Sequence, residues 1–235
     1  MTHILLVHGA WHGAWCWHKA MPALAAAGFT PHAIDLPGHG LRAAETPTLA
    51  AYAEAVADKL NSLPGPAILV GHSMGGAVIS AAAELVPDRI STLVYLCALM
   101  IRTGESIFGR AGGDDEILLG ALLEPQPDGR LTVRDDGVKP AFYADCSDED
   151  VALARLCLVP QSAEPFAAEL ALTTDRYGQV RRAYIVCTQD KAIGPKKQRE
   201  FIATTGCDAQ TDLDTSHSPF FSAPAKLAEA IRRVL

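Results

Sequence analysis

Apolar residues in this chain fall in short unbroken runs rather than in alternation. Ile4–Val7 (ILLV), Ala67–Val70 (AILV), Leu93–Leu96 (LVYL) and Ala183–Cys187 (AYIVC) offer hydrophobic side chains to both faces. Such runs suit strands covered on both sides, as in a parallel sheet. Pro31–Leu36 (PHAIDL) reads as a further strand and Ala209–Leu213 (AQTDL) as a weaker one. Helical segments separate them. Trp17–Ala27 is rich in alanine and leucine and stops at Gly28. Thr48 is placed to cap a helix from Leu49 to about Leu60, which ends before the Pro64-Gly65-Pro66 turn. Gly75–Val86 is alanine-rich and stops at Pro87, and Pro195–Ala203 opens with a proline, which the first helical turn tolerates. Ala223–Leu235 closes the chain with Pro224 near its start. Strands alternating with helices predict an α/β fold of right-handed βαβ units around a mainly parallel sheet.

One stretch breaks this alternation. From about Leu99 to Gly178 no clear apolar strand occurs, and the segment is dense in Gly, Asp, Glu and Pro. A bare loop of that length is uncommon in a compact domain. Asp148–Leu158 and Ala163–Leu172 read as helices, and Arg130–Val133 as a short strand in a small hairpin. The expected organisation is a core from residues 1–98 and 179–235 with an inserted cap over 99–178.

Length and composition narrow the picture further. A chain of 235 residues suffices for one large α/β domain. The net charge of −7 leaves no basic excess to neutralise phosphates, which argues against a nucleic-acid partner. No apolar run approaches the roughly 20 residues of a membrane-spanning helix. The N-terminus lacks the basic lead and small-residue cleavage site of a secretory signal, so Ile4–Val7 is read as a core strand. Cys16, Cys97, Cys146, Cys157, Cys187 and Cys207 form no C-x-x-C pair and no metal-ligand spacing with histidine. Free thiols in a reducing cytoplasm are the expectation.

The candidate chemistry centres on Gly71-His72-Ser73-Met74-Gly75. A G-x-S-x-G match alone is common. Here it directly follows the run Ala67–Val70 and opens the helix Gly75–Val86, which is the strand–turn–helix setting of a nucleophile elbow. The first strand runs into His8-Gly9-Ala10-Trp11, a turn suited to supply one backbone N–H to an oxyanion hole. The expected donors are the amides of Ala10 and Met74. In this arrangement an acid and then a histidine follow the serine along the chain. His217 is the only histidine after Ser73 and lies between the last strand and the last helix, so it is the candidate base. Asp190, just past Ala183–Cys187, is the preferred acid, with Asp212, Asp214 and Glu105 as competitors. His8, His39 and His72 lie in turns and are expected to hydrogen-bond to backbone.

With these residues in place, the chain resembles the plant methylesterase and hydroxynitrile lyase family of α/β hydrolases and its bacterial esterase relatives. The resemblance spans essentially the whole length. It rests on VHGAWHGAWCWHK near the start, DLPGHG at Asp35–Gly40, VGHSMGG at the elbow, YIVCTQDKAI around Asp190 and the loop holding His217. AFYADCSDEDVALARL is also similar to relatives in which a tyrosine-containing hairpin leads into a cap helix. The family begins at the strand equivalent to Ile4–Val7, which implies a six-stranded parallel core. Its hydroxynitrile lyases carry threonine and lysine where this chain has Gly9 and Ser218, so the resemblance implies an esterase. The plant esterases commonly carry methionine at the Ser218 position, a departure here.

The implied reaction is hydrolysis of a small ester through an acyl-enzyme on Ser73, with no metal or organic cofactor. Trp11 is a candidate for the acyl pocket, with Phe142, Tyr143, Leu156 and Phe166 as its wall from the cap, whereas Trp15 and Trp17 read as packing residues. A ligand receptor, a hydroxynitrile lyase, and cleavage of a lactone, an amide or a C–C bond are the alternatives, because fold and triad do not fix substrate. Oligomeric state is open, a homodimer included.

Overall fold

The computed structural model describes residues 2–110 and 118–235. Its strands are β1 (Thr2–Val7), β2 (Phe29–Ile34), β3 (Ala67–His72), β4 (Ile90–Leu96), β5 (Leu123–Pro125), β6 (Arg130–Val133), β7 (Gln161–Ser162), β8 (Arg182–Cys187) and β9 (Ala209–Leu213). Six of these make one sheet in the order β2-β1-β3-β4-β8-β9, every neighbouring pair parallel. The α/β architecture expected from the unbroken apolar runs is the one found. Ile4–Val7, Leu93–Leu96 and Ala183–Cys187 are wholly shielded from solvent, because helices cover both faces. β9 is the exception that explains its weak signal: it forms a sheet edge, and its residues alternate between more and less exposed.

The chain builds β1 and β2 to one side, then crosses back to place β3 on the other side of β1. Connections leaving neighbouring strands in opposite directions open a crevice at the carboxyl ends, here between β1 and β3. The turn after β3 is very tight. A side chain at Gly71 would put its Cβ 2.5 Å from the Gly75 carbonyl oxygen, so only glycine lets the strand and the following helix Gly75–Leu85 approach this closely. That helix packs against Leu49–Asn61, whose N-terminus is closed by the Thr48 side chain accepting the Ala51 N–H at 3.1 Å.

Between β4 and β8 the chain forms a three-stranded antiparallel sheet, β5-β6-β7, with the helices Asp135–Phe142, Asp148–Cys157 and Glu164–Ala167. Tyr143 stands in the turn between the first two helices rather than in a strand hairpin. Two expected helices are shortened. Ala163–Leu172 is helical only over Glu164–Ala167; from Ala168 the backbone is extended, and Leu170 exchanges hydrogen bonds with Gly104 and Glu105 (2.8 and 3.0 Å). Pairing with a distant segment overrides the local preference. Trp17–Ala27 is α-helical only over Ala20–Ala26, and Trp17 ends a separate 3₁₀ turn that begins at Ala14. Pro22 has no N–H to give the His18 carbonyl, and starting the helix at Ala20 puts that missing donor in the first turn.

Candidate active site

Ser73 sits where β3 ends, with φ 55°. A non-glycine residue held there costs on the order of 1–3 kcal/mol and persists only when its surroundings fix it. The surroundings do: Ser73 N–H donates to the Leu96 carbonyl at 3.3 Å, and its own carbonyl accepts from Gly76 and Leu99, each at 3.0 Å. Trp11 (φ 64°) and Cys97 (φ 36°) are the other left-handed non-glycine residues among those described. All three follow the carboxyl ends of the adjacent strands β1, β3 and β4, so the strain gathers at the crevice.

His217 and Asp190 meet in the loops after β9 and β8. The imidazole Nδ1 lies 2.7 Å from Asp190 Oδ2, and both side chains are almost wholly buried. Nδ1 therefore carries the proton, which leaves the Nε2 lone pair available as a base. The other Asp190 oxygen accepts the Ala192 and Ile193 N–H groups at 2.7 and 3.0 Å, and Gln198 Nε2 adds a bond to Oδ2 at 3.3 Å. The competing acids are spent elsewhere. Asp212 pairs with Arg199 at 2.7 Å, Asp214 accepts from Thr188 and Gln189, and Glu105 pairs with Arg102 and Arg110.

Two further groups fix the backbone around His217. His72 Nε2–H donates to the His217 carbonyl at 2.8 Å, and Asp145 accepts both the Ser216 N–H (2.9 Å) and the Ser216 hydroxyl. Burial, reinforced by neighbouring His217, holds the His72 pKa well below the usual histidine value, so its ring stays neutral. His72, Cys97 and His217 offer ligand atoms within 4.8 Å of one another, a spacing a metal could use. Here His72 Nε2 and Cys97 Sγ (3.5 Å) both address the His217 carbonyl, and His217 Nδ1 is bonded to Asp190. The trio is a hydrogen-bonded brace.

The turn after β1 presses against the serine. A Cβ on Gly9 would lie 2.8 Å from Ser73 Cβ and 3.1 Å from His72 Nδ1, too close for any side chain without a shift. Ala10, next in the turn, is buried, and its N–H has no hydrogen-bond acceptor among the described residues. The following N–H, of Trp11, is already directed to Gln161 Oε1 at 3.4 Å. Buried N–H groups are seldom left unpaired, and this unpaired donor belongs to the residue after Gly9, which packs against Ser73. Met74 stands at the N-cap of helix Gly75–Leu85, where the helix end also favours negative charge.

The aromatic residues divide by what they touch. The Trp11 ring lies 5.7 Å from Phe142 and 6.0 Å from Phe166, and Phe142 lies 5.7 Å from the His217 ring. Trp11 Nε1–H is taken by the Leu131 carbonyl at 2.8 Å, so its indole shows an apolar face to these neighbours. Tyr143 is fully buried, and its hydroxyl is committed to His12 Nε2 at 2.5 Å. Leu156 does not join the wall expected for it: it is 85% exposed. The helix Asp148–Cys157 buries Asp150, Val151 and Ala154 instead. His8 and His39 bond to the Gly9 and Pro37 carbonyls (2.8 and 3.1 Å), the backbone role expected of turn histidines. The contributions of Asp145, His12 and Gln161 escape sequence reading, because each works through a partner more than 70 residues away.

Comparison with known proteins finds relatives along the whole chain. A family model described as "Alpha/beta hydrolase family" matches residues 4–230. The chain is 32% identical to methylesterase 1 of Arabidopsis thaliana over 252 residues, covering 99% of this chain and 95% of that protein. Among solved structures it is similar to polyneuridine aldehyde esterase (TM-score 0.87, 28% identity, 100% and 99% of the two chains). It is equally similar to a pyrethroid hydrolase from Sphingobium faniae JZ-2 (TM-score 0.87, 30% identity, 99% and 96% covered).

Proposed function

The chain belongs to the α/β hydrolase family, and from that premise we propose that it is a serine carboxylesterase acting on small esters. The observation that carries this reading is the buried His217–Asp190 pair at 2.7 Å, held by His72, whose neighbour in the chain is Ser73 in strained left-handed backbone. His217 Nε2 takes the Ser73 proton as the hydroxyl attacks the ester carbonyl. The Ala10 and Met74 amides receive the oxyanion, a contribution of about 3 kcal/mol for each donor. His217 then protonates the leaving alcohol and activates the water that releases the acid. Relatives named methylesterase 1 and polyneuridine aldehyde esterase support an ester as substrate. The apolar faces of Trp11, Phe142 and Phe166 favour an uncharged acyl group. Gly9 and Ser218 stand where the family's hydroxynitrile lyases carry threonine and lysine, which favours the esterase over the lyase reading. We place the reaction in the cytoplasm, under a cap formed by residues 99–178.

Hydrolysis of p-nitrophenyl esters from acetate to octanoate tests this. Wild type should turn over at least the short esters, and Ser73→Ala and His217→Ala should each lose about 10⁴-fold or more in kcat. A folded wild type inert to the whole series would turn the reading toward a ligand receptor.

A further inference from the structure

The oxyanion turn contains two buried histidines that the reaction itself does not use. His8 and His12 flank Ala10, and each spends one ring nitrogen on a carbonyl of the turn. His8 Nδ1 lies 2.8 Å from the Gly9 oxygen, and His12 Nδ1 lies 2.7 Å from the Ala10 oxygen. Their far nitrogens are also engaged. The Leu36 N–H donates to His8 Nε2 at 3.1 Å, and the Tyr143 hydroxyl reaches His12 Nε2 at 2.5 Å. A carbonyl can only accept, so both rings must carry their proton on Nδ1 and receive a hydrogen bond at Nε2. Burial keeps both neutral: it draws the His12 pKa down to about 4 and that of His8 well below the ordinary value.

The consequence lies in which peptide units these carbonyls belong to. The Gly9 carbonyl and the Ala10 N–H are two ends of one planar peptide, and the Ala10 carbonyl begins the next. We propose that His8 and His12 are positioning residues that lock these two peptides, aim the Ala10 N–H at the oxyanion, and strengthen it as a donor. A hydrogen bond to a peptide carbonyl polarises the N–H at the other end of the same unit. His8 does this directly to the peptide that bears the Ala10 N–H. His12 stops the neighbouring peptide from rotating, and Tyr143, from the cap, fixes the His12 tautomer. The cap thereby reaches the oxyanion turn through one hydrogen-bond chain, Tyr143 to His12 to Ala10. This inference rests on the esterase reading for its chemistry, but it can be read without ester turnover.

The test compares two ketones of the same chain length, alongside ester kinetics. A trifluoromethyl ketone adds to Ser73 and places an oxyanion in the turn, whereas the methyl ketone binds without adding. For His12→Ala, kcat should fall roughly 10–100-fold with KM within about twofold, since a misaimed donor loses part of the ~10²–10³ that one oxyanion donor supplies. Trifluoromethyl ketone affinity should fall by the same factor, methyl ketone affinity should hold, and His12→Asn, whose amide can still donate to the Ala10 carbonyl, should recover most of the loss. Equal weakening of both ketones, no weakening, or an asparagine variant no better than alanine would overturn the proposal. If His12→Ala does not fold, Tyr143→Phe gives the same reading through a several-fold selective loss; behaviour identical to wild type overturns it. A wild type inert to esters but trapped by the trifluoromethyl ketone sinks the esterase reading alone and leaves the ketone comparison to decide the clamp. A wild type inert to both overturns the two together.

Discussion

Ser73 and Gly9 are an instance of two residues specifying one another. The elbow lifts the Ser73 side chain to the crevice, and the space it enters exists because position 9 carries no side chain. A Cβ there meets Ser73 Cβ at 2.8 Å, so Gly9→Ala should cut kcat severely while leaving the protein folded, as the shift falls on Ser73 and on the adjacent Ala10. Circular dichroism together with ester kinetics would check this; a Gly9→Ala enzyme within twofold of wild type would show that the turn yields more readily than its packing implies. The candidate site was legible at this scale where chemistry is local: the elbow motif and the sole downstream histidine pointed to Ser73 and His217. Asp190 was preferred from its place after Ala183–Cys187, and the contacts set it apart from Asp212 and Asp214, which lie nearer to His217 in sequence but are engaged with Arg199, Thr188 and Gln189.

The central strands were legible because burial on both faces leaves a plain mark in sequence, and the edge strand β9 was fainter because half of it faces solvent. The region between β4 and β8 was poorly legible because its order comes from distant partners. Gln161 in β7 is the clearest case. Its Oε1 accepts from the Trp11 N–H (3.4 Å) and lies 3.1 Å from His39 Nε2, and its amide nitrogen donates to the Tyr52 hydroxyl at 3.1 Å. One buried side chain thus ties a two-residue strand to the turn after β1, the DLPGHG loop and a core helix. Gln161→Leu should destabilise the fold by about 3 kcal/mol, since it leaves several buried polar groups unpaired at ~1–3 kcal/mol each. Urea titration measures this directly, and a loss under about 0.5 kcal/mol would mean that the network re-pairs without it.

Across the whole molecule, the buried histidines set a dependence on acidity. His8, His12 and His72 are each held neutral by burial, with His12 drawn from 6.5 to about 4. In the unfolded chain all three take up protons near pH 6.5, so below that value the unfolded state binds more protons than the native one. Their stabilising contribution is complete above about pH 6.5 and falls as the pH drops toward 4, by roughly 1.4 kcal/mol per pH unit for each fully developed difference. The urea midpoint should therefore drop markedly between pH 7.5 and pH 5. A midpoint unchanged or higher at pH 5 would contradict the assignment of these rings as buried and neutral. Among the described residues no helix is long and apolar enough to cross a membrane.

The most direct test of the central claim is to trap the acyl-enzyme. A rapid quench of the protein with a p-nitrophenyl ester, followed by peptide mass spectrometry, should find one acyl group on the peptide containing Ser73, with a matching burst of nitrophenolate. Turnover with no adduct, or an adduct on any other residue, would contradict nucleophilic catalysis by Ser73.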